Sequence, residues 1–400
     1  MPSPTTAPPG ARRGLTLATI CVPMFLVLLD VTIVNVALPE LGADLALAQP
    51  ALAIDAYTLP LAAALLPAGW ASDRLGPRRP LVAGLAVFGA ASLACALAPG
   101  AAVLLAGRVG QGLGAAAMLP AGLAVLQHDW AGPARARALG IWSGVSAAGT
   151  ALGPGLGGLL TGLAGWRMIF LINLAPLALA LVGAVVLVRD PRGGEEPAGR
   201  RVLPGRLAAA SVAAFAMNTV GNGTLLTITW LAQRAYRLPV AAGGALLLVA
   251  TVPFAALSPL GGRALARFGP RVMIMVGFVT GAAMLASLYA ATPGADWPAL
   301  VPPLLGVGVA LAALTPAIVA AGLAALPGRP GLAGGIGNTC RQLGTSFGVA
   351  LAGVLVASAD TPGAIAAGAH RFATVAIVAW LLGAAVVAVG LRAPGVPAPE

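Results

Sequence analysis

Three charged side chains, Asp30, Asp55 and Arg108, lie inside long apolar runs of this 400-residue sequence. An intramembrane charge costs about 3 kcal/mol on insertion scales, so three of them in one half of a chain mark chemistry rather than accident. Arginine stays protonated in proteins, whereas a desolvated carboxylate can take and release a proton near neutral pH. Asp30 is therefore the expected proton carrier and Asp55 the alternative. Arg108 is the fixed charge that favours the ionised carboxylate when near, and Gln111, one turn on, is a neutral partner. A permanent Asp30–Arg108 pair that only fixes packing is the competing reading. His128 and His370 stand apart, and Cys21, Cys95 and Cys340 are isolated, so neither a metal site nor a disulfide framework is expected. Nothing in the sequence calls for a cofactor.

The elements that position these charges follow from composition. With 59% hydrophobic and 9% charged residues, a water-soluble fold of this length would lack the polar surface to cover itself. Apolar runs of about 20 residues match the ~30 Å of hydrocarbon a helix must cross, which excludes a barrel of short alternating strands. Twelve spans are predicted, at 15–39, 51–69, 79–98, 101–127, 138–162, 166–188, 207–232, 240–262, 271–291, 299–325, 331–358 and 370–392. At 1.5 Å per residue, Asp30 lies roughly 14 Å, Arg108 roughly 10 Å and Asp55 roughly 6 Å below the outer ends of their helices. All three can then belong to one polar cluster.

The net charge of +11 comes from arginines scattered over short segments, without the aromatic interleaving or dense runs of a nucleic-acid surface, so no nucleic-acid partner is expected. The partners are instead a lipid bilayer, protons and a small molecule. Placing the N-terminus in the cytoplasm puts seventeen arginines inside and four outside, as the positive-inside rule requires. Both termini are then cytoplasmic.

Residues 69–84, GWASDRLGPRRPLVAG, recur at 262–277 as GRALARFGPRVMIMVG, with seven identities in sixteen. The 193-residue offset carries predicted helix 1 onto 7 and 5 onto 11, so the whole chain is duplicated. The expected organisation is a tail at 1–14, a six-helix bundle at 15–188, a linker at 189–206, a second bundle at 207–392 and a tail at 393–400. Parallel repeats of this kind imply a transporter with its substrate held near mid-membrane.

Gly69, Asp73, Arg74, Gly76, Arg78 and Arg79 match the signature between helices 2 and 3 of the major facilitator superfamily, which the chain resembles. The resemblance implies an all-α integral membrane protein with twelve transmembrane helices in two pseudo-symmetric bundles. It also implies that Asp73 helps latch the two bundles at the start of helix 11, while Ala266 stands at the equivalent place in the second copy. The helix 1 motif (Asp30, Thr32, Asn35, Ala37, Leu38, Pro39), DAYTL at 55–59 and GRVGQGLGAAAMLP at 107–120 resemble the drug:proton antiporter branch, whose members usually have fourteen spans. Gly149, Gly153, Pro154, Gly157 and Gly158 resemble the antiporter motif of exporters. Glycines spaced by four also make a generic packing face, and Pro154 is expected to kink the helix.

Polar and soft side chains offer a possible substrate cavity: Met24, Phe25, Asn35, Met118, Trp142, Asn218, Asn222, Trp230, Gln233 and Asn338. Packing is the alternative role for the methionines and aromatics. Together these features lead us to expect a proton-coupled exporter of small amphipathic compounds, not an enzyme, monomeric, in a bacterial inner membrane. Export of one metabolite or a self-made antibiotic is the alternative, and a non-transporting sensor a remote one.

Overall fold

The computed structural model describes residues 9–47, 49, 52–190, 203–292, 296–357 and 361–391. Among them the chain is helical, with no strand, as a lipid solvent demands: a helix satisfies its backbone groups internally. The helices are α1 (Pro9–Asp44), α2 (Leu52–Leu75), α3 (Arg78–Ala96), α4 (Ala101–Asp129), α5 (Gly132–Ala164), the short α6 (Met168–Leu171), α7 (Leu174–Leu187), α8 (Pro204–Trp230), α9 (Val240–Leu246), α10 (Leu248–Leu285), α11 (Val301–Ala325), α12 (Pro330–Ala352) and α13 (Pro362–Gly390).

Eight helical segments among the described residues are long and apolar enough to cross a membrane. One of them, Ala242–Ala290, is 49 residues long and covers two of the predicted spans. Three further helices, α5, α8 and α12, have 33, 27 and 23 residues but more glycine and polar content, and fall outside that group. Turn chemistry sets several ends. Pro133 and Pro204 stand in the first turns of α5 and α8, where a missing N–H costs nothing. Thr361 caps α13 by accepting from the Ala364 N–H at 3.2 Å. Pro154 does not interrupt α5, which remains helical to Ala164.

The structure moves several predicted boundaries. α1 begins at Pro9, inside the predicted tail, and α8 at Pro204, inside the predicted linker; residues 191–202 of that linker and the tail at 393–400 lie outside the described residues. The repeated segment is a loop only at its glycine. α2 runs to Leu75, so Gly69, Asp73 and Arg74 are helical, and in the second copy only Gly269 (φ 77°, ψ 167°) is non-helical within Leu248–Leu285. Hydropathy ends where lipid ends, but a helix continues until a residue breaks its backbone geometry.

The chain divides into two compact units, residues 1–200 with 328–339, and residues 201–327 with 340–400. In the first, α3 and α2 both lie along α4, and α1 lies along α5 and α7. In the second, α10 pairs with α11, and α8 lies against α11 and α13. Between helices in lipid the attraction is van der Waals contact and hydrogen bonding, so small residues decide where axes approach. A Cβ on Gly112 would overlap the Tyr57 carbonyl, and one on Gly84 would lie 2.8 Å from the Gly114 carbonyl oxygen. Past the apolar part of α1 the Asp44 carboxylate accepts from Arg167 (2.7 Å) and Trp166 (3.0 Å). Those bonds, Arg167's first, hold the Asp44 carboxyl below its ordinary range.

Both copies of the repeat put their glycine at positive φ, Gly76 at 81° and Gly269 at 77°, where side chains are strained. Each is followed by an arginine that donates to the last helix of its own half: Arg78 to the Val185 carbonyl at 2.6 Å and Arg271 to the Ala388 carbonyl at 2.9 Å. The first copy is further tied down, because Asp190 Oδ1 accepts from the Arg78 N–H at 3.0 Å and fills the space where a Gly76 side chain would go. Among the described residues nothing crowds Gly269. G269A should therefore lose only conformational energy, about 1–3 kcal/mol, whereas G76A should lose that and displace Asp190 as well. Unfolding in detergent should rank G76A below G269A, and G269A below the unmodified chain.

Candidate functional site

α1, α2, α3 and α4 together enclose a buried polar cluster. Arg108 projects from α4 with its side chain 1% exposed and meets Asp30 of α1, which is 0% exposed, in an ion pair through Nη1 and Oδ2. Arg108 Nη1 also donates to Gln111 Oε1 (2.8 Å), and Nε donates to the Ala53 carbonyl (2.8 Å). Its guanidinium carbon lies 4.5 Å from the centroid of Tyr57 and 5.9 Å from that of Phe170, within cation–π range. Gln111 Nε2 donates to Asp30 Oδ1 (3.2 Å) and Ser92 Oγ (2.9 Å), and the Cys95 thiol approaches Gln111 Oε1 at 3.7 Å. The Tyr57 hydroxyl donates to the Val27 carbonyl at 3.4 Å.

The local sequence makes this geometry. Gly112 lets α2 approach α4 until the Ala53 carbonyl reaches Arg108, and Gly107, where a Cβ would lie 2.5 Å from Cys95 Sγ, does the same for α3. On α1, Asp30 faces α4 while Phe25, Thr32 and Ile33 face α5. Cβ atoms on Gly149 and Gly157 would stand 2.5 Å from the Phe25 carbonyl oxygen and 2.8 Å from that of Ile33, and one on Gly153 would overlap the Thr32 hydroxyl. Pro154 and Gly158 are exposed and outside this contact. The glycine face thus presses α1 into place on both sides of Asp30.

Asp55 does not join the cluster. It is exposed in the first turn of α2, because Ala53 and Tyr57, two residues to either side, are the ones buried toward α4, and two residues are some 200° around a helix. Depth alone grouped the three charges; the direction each faces separates them.

A second site lies at the signature between α2 and α3. Asp73 accepts from the first free N–H groups of α12, Gly331 to Oδ1 at 2.6 Å and Leu332 to Oδ2 at 2.7 Å. A carboxylate there satisfies orphan donors and complements the helix dipole. Gly69 sits against the Gly331 backbone and Gly335 against that of Leu65, so the crossing of α2 with α12 has no room for side chains. Residues 328–339 accordingly belong to the first unit. Arg74 stacks on Trp70 (5.2 Å), and Arg79 is exposed.

The predicted cavity residues are scattered. Met24, Met118 and Trp142 are buried in the packing of the first unit, Met118 against Gly84 of α3. This matches the packing alternative: on helices so rich in glycine, large apolar groups fill the space that glycine leaves. Phe25 is half-buried, and Asn35 is exposed, donating to the Val31 carbonyl. Asn338, Asn218 and Asn222 each donate to their own helix four residues back, and Asn222 also reaches Thr345 Oγ1 at 3.2 Å. Trp230 and Gln233 are half-buried. The hydroxyls of Thr219, Thr224 and Thr227 on α8 are buried without a hydrogen-bond partner among the described residues.

Sequence reasoning missed Ser92 and Asp190. Ser92 had no motif around it. Asp190 was visible as the carboxylate directly after the sixth span, but its partner is a backbone N–H, which leaves no trace in sequence.

The partners of the pair are unequal. Without Asp30, Arg108 keeps a carbonyl, an amide oxygen and an aromatic face; without Arg108, Asp30 keeps only Gln111. R108A should cost about 3–5 kcal/mol, the range for removing one partner of a buried pair, and D30N distinctly less. Detergent unfolding of both variants measures this, and equal losses would count against it.

A family model described as "Major Facilitator Superfamily" matches residues 20–348. The "Tetracenomycin C resistance and export protein" of Streptomyces glaucescens is 31% identical over 414 residues, covering 87% of this chain and 76% of that protein. The "Drug efflux pump JefA" of Mycobacterium tuberculosis is 30% identical over 417 residues, covering 87% of this chain and 81% of that protein. Among solved structures, the human organic anion transporter MFSD10 (TETRAN) has the same fold, with a TM-score of 0.74 at 17% identity over 95% of this chain and 100% of that one.

Proposed function

The chain belongs to the major facilitator superfamily of multi-pass membrane transporters, and from that premise we propose that it is a proton-coupled antiporter exporting small amphipathic compounds or drugs by alternating access. The observation that carries the coupling is the buried Asp30–Arg108 pair: a carboxylate taken out of water can change its protonation state, while the guanidinium beside it keeps its charge. When Asp30 is ionised, its two oxygens hold α1 against α4 through Arg108 and Gln111. When it is protonated, Coulomb attraction to Arg108 disappears and α1 is free to shift.

Export is supported by two lines. The Gly149, Gly153 and Gly157 face lies along α1 at the level of Asp30, and the two relatives described above are named for export or efflux. Asp73, capping α12, serves as the cytoplasmic gate element, and Arg74, Arg78 and Arg79 hold that end at the anionic membrane face. The distribution of arginines supports cytoplasmic termini, and the bacterial relatives support a bacterial inner membrane. The protein works as a monomer, with no cofactor.

A second reading, export of a single antibiotic, is favoured by the relative named for tetracenomycin C. A panel of toxic compounds separates the two: cells carrying the chain should accumulate less of several unrelated compounds, and only until the proton gradient is collapsed. Protection against one compound alone favours the second reading, and protection against none overturns both. In inverted vesicles D30N should lose proton-driven uptake of any compound identified in this way; undiminished uptake would remove Asp30 from the coupling step.

A further inference from the structure

The coupling cluster contains one group that the proposed exchange of protons does not use, the Ser92 hydroxyl. Ser92 lies on α3, fully buried, and accepts from Gln111 Nε2 at 2.9 Å. The orientation of the Gln111 amide follows from its neighbours: Arg108 can only donate and the Asp30 carboxylate can only accept, so Oε1 must face Arg108 and Nε2 must face Asp30. Nε2 then has a second hydrogen directed away from Asp30, in a buried site, and Ser92 is what receives it. The close approach of α3 to α4 at Gly84, Gly107 and Gly114 makes that distance possible.

We propose that Ser92 is a positioning residue of the coupling site, acting through Gln111: it anchors the amide so that one N–H stays aimed at Asp30 Oδ1 and the oxygen stays on Arg108. This rests on the reading of Asp30 as the proton carrier. The network as built has a donor on each Asp30 oxygen, Arg108 on Oδ2 and Gln111 on Oδ1, so an added proton must take a remaining lone pair, and the neutral carboxyl then accepts more weakly from both donors. Turning the Gln111 amide would let Oε1 accept that proton but would aim its NH2 at Arg108. Ser92 holds the amide in place beside Asp30. Protonation of Asp30 therefore loosens its hold on both donors, while Arg108 stays on the Ala53 carbonyl, Gln111 and the Tyr57 ring.

Among the described residues, the charged and titratable groups around Asp30 are Arg108 from α4, Tyr57 from α2 and Cys95 from α3; α7 has none, and those of α5, Arg135 and Arg137, lie near its start. The test needs no substrate. Infrared difference spectra of the purified full chain, taken across a pH series, follow the protonated-carboxyl stretch, and the band missing in D30N is that of Asp30. In S92A the pH at which this band appears should be displaced by roughly half to one unit, the equivalent of one hydrogen bond. S92T, which keeps the hydroxyl, should return it. In a Q111A background, S92A should add no displacement, because the intermediary is gone. An Asp30 band at the same pH in S92A, or an equal displacement with and without Gln111, overturns the role of Ser92 and leaves Asp30 as carrier. A series in which D30N removes no band overturns both.

Discussion

A buried carboxylate facing a buried guanidinium is a demanding arrangement in any protein, because the desolvation of two ions is repaid only by good geometry and complete hydrogen bonding. The first unit is organised around meeting that demand at Asp30 and Arg108. Every neighbouring helix brings something: α1 the carboxylate, α2 the Ala53 carbonyl and the Tyr57 ring, α3 Ser92, α4 both Arg108 and Gln111. Glycines of α3, α4 and α5 fit the same demand, since Gly84, Gly107, Gly112 and Gly149 let neighbouring helices come close enough for polar atoms to meet. Arg108 is held by partners that carry no charge, so its place does not depend on the protonation state of Asp30. A fixed cation beside an anion that can be neutralised is the simplest device by which a proton can loosen one helix from its neighbours.

Much of this was legible in the sequence, and the reason is lipid. Because a membrane makes charges expensive, Asp30 and Arg108 stood out as isolated exceptions to a strong pattern, and Asp73 stood out through the signature it shares with the family. The major facilitator fold and the export family were likewise legible, through motifs that the family match and the relatives bear out. What could not be read was direction. Asp55 shares a depth with the other charges but points away from them, and Met118 and Trp142 have the chemistry of a cavity wall and the position of packing. Helix ends were blurred for a related reason, since hydropathy marks the limit of lipid while α2 continues past it to Leu75.

The two copies of the repeat show how far a duplication constrains its descendants. The turn itself survives in both, with glycine at positive φ and the following arginine tied to the last helix of its half. The Asp73 carboxylate does not. Asp73 caps α12 and Asp190 caps the start of α3, yet Ala266 occupies the place of Asp73 in the second half. The two copies share backbone geometry but not this charge.

Asp190 gives the boundary between the halves a chemical meaning that composition alone would misplace. By polarity the linker begins at Arg189, but the residue after it still holds the first half together. Anyone expressing the halves as separate polypeptides, or inserting a reporter domain between them, would need to leave Asp190 attached to the first fragment. A cut one residue earlier would strip the cap from α3 and leave the Gly76 turn tied to α7 through the Arg78 side chain but not through Asp190.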